Sequence, residues 1–221
     1  MSLFHFIDAF FSDGAHWHGY DGIPHRVLEH LQYTFTAFGI AAAIGLPVGL
    51  LTGHTGRGGN ALAVVASAAR ALPTLGLLVL MFLWRGIGET TAMVPLVALA
   101  VPPVLVTTYE ALRSVDPSPV DAARGMGMGP AAVLFRVELP MALPVVLGGL
   151  RSAMVQVVAT TSIAAYISLG GLGRYLFDGL AQHDYAVVVG GATLIAALAV
   201  VMLGVFWVVE RSLVSAGVRR R

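Results

Sequence analysis

Five histidines crowd the first thirty residues, at positions His5, His16, His18, His25 and His30. Imidazole is the side chain most often recruited by divalent metals. Their spacing repeats no known ligand set, and no carboxylate is held beside a ring to fix its tautomer. We read them as exposed histidines of a lead-in segment and expect no metal. The string GMGMG at 125–129 could suggest a phosphate-cradling loop, but it follows no strand and lacks the G-x-G-x-x-G spacing. A P-loop needs a lysine on the phosphates, and all thirteen basic residues here are arginine. Neither a Gly-x-Ser-x-Gly elbow nor a His-Glu-x-x-His pair is present for hydrolysis. With no cysteine, disulfides and thiolate metal sites are excluded as well. The chain reads as a non-enzyme.

The stretch with a definite task is 121–140, DAARGMGMGPAAVLFRVELP, a small and polar segment between long apolar runs. Asp116 is placed to cap a helix that begins at Pro117, with Asp121 on its early turns, where the helix dipole favours a carboxylate. Gly127 and Gly129 interrupt it. Pro130 starts a second short helix expected to run to about Val137 and stop before Pro140. Two short helices on a glycine elbow, with Ala122 and Ala123 on the face, allow another backbone to approach closely. That is a docking knob.

The elements that must position this knob follow from composition. Apolar residues make up 57% and charged residues 11%, against about 25% charged in a soluble domain. Five runs, 31–52, 61–84, 91–111, 141–165 and 185–209, are long enough to cross a bilayer core, which takes about 20 apolar residues. Being continuous rather than alternating, they are helices, the form in which a backbone satisfies itself in lipid. The fold class is therefore all-α integral membrane with about five transmembrane helices. Residues 1–30 form an amphipathic lead-in on the outer side, with Phe4, Phe6, Ile7, Phe10, Phe11 and Trp17 at headgroup level. The membrane domain is 31–210, including a cytoplasmic loop at 112–140 and an outer loop at 166–184. Residues 211–221 make a basic tail.

With the N-terminus outside, Arg57, Arg113, Arg124, Arg136, Arg211, Arg219, Arg220 and Arg221 fall inside, and Arg26, Arg85 and Arg174 outside. The positive-inside rule favours that orientation, which puts the knob and the C-terminus in the cytoplasm. No basic cluster interleaved with aromatics suggests nucleic acid, and no secretory leader is evident.

Polar residues inside the spans are candidates for a solute pathway. Arg70 lies about 13 Å into its run at 1.5 Å per residue, where an arginine faces protein or water, pairs with Glu110, or snorkels to the surface. Pro95, Pro102 and Pro103 are expected to bend or break the third run near Thr107, Thr108, Tyr109 and Glu110. Gln156 and Thr160 share a helical face, four residues apart. Gly45, Gly49 and Gly53 form a small-residue stripe suited to close helix packing.

The pattern Asp-Ala-Ala, three residues, Gly, nine residues, aliphatic, any residue, Leu-Pro occurs at Asp121, Ala122, Ala123, Gly127, Val137, Leu139 and Pro140. It resembles the cytoplasmic loop of ABC-importer permeases, with Asp for the more usual Glu and Val for Ile. Gly170, Gly171, Leu172 and Gly173, followed by Phe177, Gly179 and Leu180, resemble the outer loop of glycine betaine/carnitine/choline permeases. The string RALPTLGLL resembles a segment of the same subfamily, with Arg70 as a departure. The likeness covers about residues 28–210.

The resemblance implies a type I ABC-importer permease fold in the cytoplasmic (inner) membrane. It also implies several partners: an ABC ATPase docking at the loop, a substrate-binding protein outside, and a second permease, either an identical copy or a paralogue. ATP and Mg would be bound by the ATPase and no cofactor by this chain. The implied cargo is a compatible solute such as glycine betaine, choline, carnitine or a proline-like compound. Aromatic faces such as Tyr109, Tyr166 and Trp84 suit a quaternary ammonium by cation–π attraction. An importer of methionine or a sulfonate, and a nucleotide-independent channel or scaffold, remain as alternatives.

Overall fold

A computed structural model describes residues 3–167 and 169–214, apart from the side chain of Arg70. The Arg219–Arg221 tail lies outside the described residues. All regular structure among the described residues is helical: α1 (Leu3–Ser12), α2 (Ile23–Thr55), α3 (Gly59–Ala71), α4 (Thr74–Arg85), α5 (Glu89–Arg113), α6 (Pro117–Gly125), α7 (Pro130–Val133), α8 (Leu139–Ala164), α9 (Gly173–Gln182) and α10 (Tyr185–Leu213). Four of the helical stretches are long and apolar enough to span a membrane, and a bent pair makes a fifth.

Helices α2, α5 and α8 form the centre. The glycine stripe of α2 lies against α5. A β-carbon on Gly49 would stand 2.7 Å from both the Leu105 carbonyl oxygen and the Thr108 Cβ, so only glycine lets these backbones meet. Buried threonines tie α2 to α8, with the Thr34 hydroxyl 3.3 Å from that of Thr161. Helix α10 lies at the periphery, exposing Val200, Val201, Val205 and Val208 as lipid would require.

Several expectations need correction. The run 61–84 is not one straight span: α3 and α4 meet at 82°. Leu72 and Pro73 are extended there, since the residue before a proline is pushed from the helical region. Conversely, α5 carries Pro95, Pro102 and Pro103 without ending. Each ring removes one ladder bond, while the apolar surroundings offer the remaining backbone groups no partner except the helix.

Pro140 does not stop a helix either. From Pro130 to Ile167 the chain is helical throughout, and its turn Leu134–Glu138 widens to a π-helix. In that turn the Leu139 N–H donates five residues back to the Leu134 carbonyl, just before the proline ring. The knob's second arm is thus the start of a membrane span.

The lead-in also differs from its expected form. Helix α2 begins at Ile23 rather than near Leu31. Phe4 is exposed, but Phe10 is wholly buried, packed edge-on to Tyr175 at 5.3 Å and stacked on His16 at 4.3 Å. It fills the space that a side chain on Gly190 would take. The first segment is therefore docked on the last span.

Candidate docking and pathway sites

Helix α6 starts as the capping residues dictate: the Asp116 carboxylate accepts the Ser118 N–H at 2.9 Å, and Pro117 occupies the first turn. It ends in a Schellman motif. Gly127 N–H donates to the Arg124 carbonyl at 3.0 Å and Met128 N–H to that of Ala123 at 3.1 Å. Gly127 has φ +83° with open space around it, so its requirement is for the left-handed backbone and not for room.

Asp121 and Ala122 are exposed on this helix, and Met126 projects at the tip. Ala123 is not on the outer face as expected. It is buried with Val120 and Val133, and a half-buried Val137 completes the small core that fixes the angle of the elbow. Leu139 is half-buried and Pro140 exposed in the first turn of α8.

Beneath the knob lies a polar cluster that the motif does not include. Glu138, at the unspecified position of the pattern, is 6% exposed. One carboxylate oxygen accepts from His54 Nδ1 at 2.5 Å, at the end of α2. The other lies 3.8 Å from the guanidinium of Arg124, which also stands 3.9 Å from Asp121. A carboxylate set between the apolar Val137 and Leu139 is the signal that could have found it.

The pathway candidates are not all brought together. A cavity of about 480 Å³ opens between α3, α4, α5 and α8, lined by Thr74, Thr107, Glu110 and Gln156 among apolar residues. Among the described side chains, Gln156 lines it with Thr107 and Glu110, whereas Tyr109, Thr160 and Tyr166 do not. Thr160, one turn further on, spends its hydroxyl on the Gln156 carbonyl at 2.8 Å. Tyr109 turns its hydroxyl toward Gly59 on α3. Tyr166 is exposed and packs edge-on to Phe177 at 5.4 Å, away from the cavity lining. The backbone of Arg70 is in α3, and its side chain lies outside the described residues.

At the opposite end, Gly170, Gly171, Leu172 and Gly173 form a turn into α9, with Leu172 wholly buried. Glu29, near the start of α2, accepts the Gly171 N–H at 2.8 Å and an Arg26 N–H at 2.9 Å. Arg26 also pairs with Asp21, and His25 stands 3.5 Å from Glu29. The Tyr175 hydroxyl donates to the Asp21 carbonyl at 2.6 Å. Burial pushes that phenol up to about 12, with Arg26 pulling it down and Asp21 pushing it up. Two of the lead-in histidines have structural partners: His16 Nδ1 bonds the Phe10 carbonyl at 2.8 Å, and His30, wholly buried rather than exposed as expected, bonds the Val158 carbonyl through Nε2 at 3.0 Å.

Comparison with known proteins agrees with this arrangement. Residues 45–220 match the family described as binding-protein-dependent transport system inner membrane component. The choline transport system permease protein OpuBB of Bacillus subtilis (strain 168) is 31% identical, over 89% of this chain and 90% of that protein. The carnitine transport permease protein OpuCB of Listeria monocytogenes is 30% identical, over 89% and 88%. A solved structure of the MetNI methionine ABC transporter, inward facing, has a TM-score of 0.78 over 87% of this chain and 96% of that one. At 24% identity, that likeness concerns the fold. The chain is a multi-pass membrane protein, and it belongs to the inner-membrane components of binding-protein-dependent transport systems, the non-catalytic permease subunits of ABC importers.

Proposed function

We propose that this permease imports compatible solutes of the quaternary ammonium class, such as glycine betaine, choline or carnitine, using ATP bound with Mg by a separate ATPase. The observation that carries the substrate class is the similarity, over nearly the whole chain, to permeases named for choline and carnitine transport. Support for the docking role comes from the exposed Asp121, Ala122 and Met126 at a capped, glycine-ended helix continuous with a membrane span. In this reading residues 112–140 face the cytoplasm, the glycine turn at 170–173 faces outward toward a substrate-binding protein, and a second permease completes the pathway. Closure of the ATPases draws the knobs together and tilts the spans between two states. The cavity beside Gln156 and Glu110 is the solute route within one subunit.

The test is uptake of labelled glycine betaine by proteoliposomes holding the permease, its ATPase and its binding protein. Uptake that needs both ATP and the binding protein supports the reading. Hydrolysis stimulated by the binding protein without betaine uptake keeps the importer and discards the solute. Solute flux indifferent to ATP favours a channel.

A further inference from the structure

The pattern that marks the knob leaves the residue before Leu139 unspecified, yet here that residue is the best-buried carboxylate among the described residues. Glu138 closes the π-helical turn that joins the knob to α8. A π-turn is a strained, wide helical turn that recurs at functional sites. Its carboxylate reaches across to His54, in the last turn of α2, at 2.5 Å. An ionised carboxylate only accepts, so the imidazole Nδ1–H is the donor and the bond is charge-assisted. The second oxygen faces Arg124 of α6, and Arg124 faces Asp121. Four polar side chains therefore run in series from the exposed face of α6 to the end of the first long helix. Burying such a carboxylate is costly unless its partners stay in place, so the bond resists separation of the two elements it joins.

We propose that Glu138 and His54 form a strut that transmits movement of the docking elbow to α2. Leu134 of the π-turn already shares an apolar cluster with Leu46 and Leu50 of α2, and the buried bond adds a directional polar link to the end of that helix. With it, a push on α6 and the π-turn is delivered to two central helices together. Glu138 is a positioning residue, touching neither solute nor nucleotide. The transport consequence rests on the importer reading, while the strut is read on the purified chain.

In hydrogen–deuterium exchange of the full-length protein, E138Q and H54A should each speed exchange in both α6 and residues 52–58. The expected factor is roughly tenfold, the size implied by losing one charge-assisted hydrogen bond. The E138Q/H54A double variant should add nothing beyond either single change, and the swapped pair H54E/E138H should restore protection. Faster exchange confined to the substituted residue's own segment, or additive single effects, would overturn the strut.

In proteoliposomes with the ATPase and binding protein, E138Q should keep ATP hydrolysis and lose solute moved per ATP, with recovery in H54E/E138H. A merely structural residue would lower both together, and that outcome also overturns the proposal. If the unsubstituted protein imports no betaine, the functional reading fails, and the exchange pattern still decides the strut.

Discussion

The carboxylate of Glu29, near the start of α2, accepts the backbone N–H of Gly171 at 2.8 Å. A residue of the first span thereby holds the outer turn that precedes α9. The carboxylate also occupies the place where a side chain on Gly170 would stand. Gly170 is thus fixed by its neighbour, and Glu29→Ala should cost about 1.5–3 kcal/mol, the range for a hydrogen bond to a charged group. Thermal unfolding in detergent measures it. A change within error would mean that the turn holds itself. Gly170→Ala should be at least as harmful, because the introduced carbon expels the carboxylate.

Helix contact along α2 gives a paired prediction. Gly49→Ala forces a carbon against the Leu105 carbonyl and should destabilise by about 1–3 kcal/mol, as overpacking does. Gly39 lies on the same helix with nothing within 4 Å of an added carbon. There Gly39→Ala should gain about 0.5–1 kcal/mol by lowering unfolded-chain freedom. Denaturant titrations of the two variants should move in opposite directions, and movement in the same direction would contradict the close approach of α2 and α5.

Gly127→Val places a branched side chain at φ +83°, at a penalty of about 1–2 kcal/mol for the left-handed backbone. Space around it is open, so insertion and overall folding should survive. The elbow angle should not. Solute moved per ATP should fall severalfold while the variant still reaches the membrane. Full coupling in this variant would remove the elbow from the mechanism.

Tyr175 gives the pH dependence. Its phenol is pushed up from the ordinary value near 10 to about 12 by burial. The native state therefore holds this proton more tightly than the unfolded chain does. Its contribution is complete below pH 10 and is lost as pH rises from there through about 12. Tyrosinate absorbance should show one phenol titrating late, and Tyr175→Phe should erase that component. The same change should lower stability by about 1 kcal/mol through loss of the bond to the Asp21 carbonyl.

Much of the fold was legible in the sequence because lipid leaves few choices. Apolar runs located the spans, and Asp116, Pro117 and Gly127 located the ends of α6. The errors share a cause. Proline reads in isolation as a stop, yet Pro140 sits inside continuous helix, and Pro102 and Pro103, expected to bend or break α5, do not break it, because the surroundings hold the ladder around the missing bond. Pro73 does break its helix, and one sequence offers no sign that separates the two cases. Glu29, His54 and Glu138 were passed over because their partners lie 142 or 84 positions away, a pairing that spacing along one helix does not reveal. Ala123 was misassigned to the outer face because small residues suit a docking surface and a tight internal corner equally well.

The burial of Phe10 against Gly190 bears on how the protein is made. The ribosome delivers α1 before α10, so the ring's seat on Gly190 is made long after the ring itself. Until then Phe10 lacks the seat that Gly190 gives it in the finished protein. Its docking joins two segments made far apart in time, a contact of long sequence separation that forms late. A nascent chain stalled before α10 should leave its amino-terminal helix open to protease, and completion of that last helix should shield it.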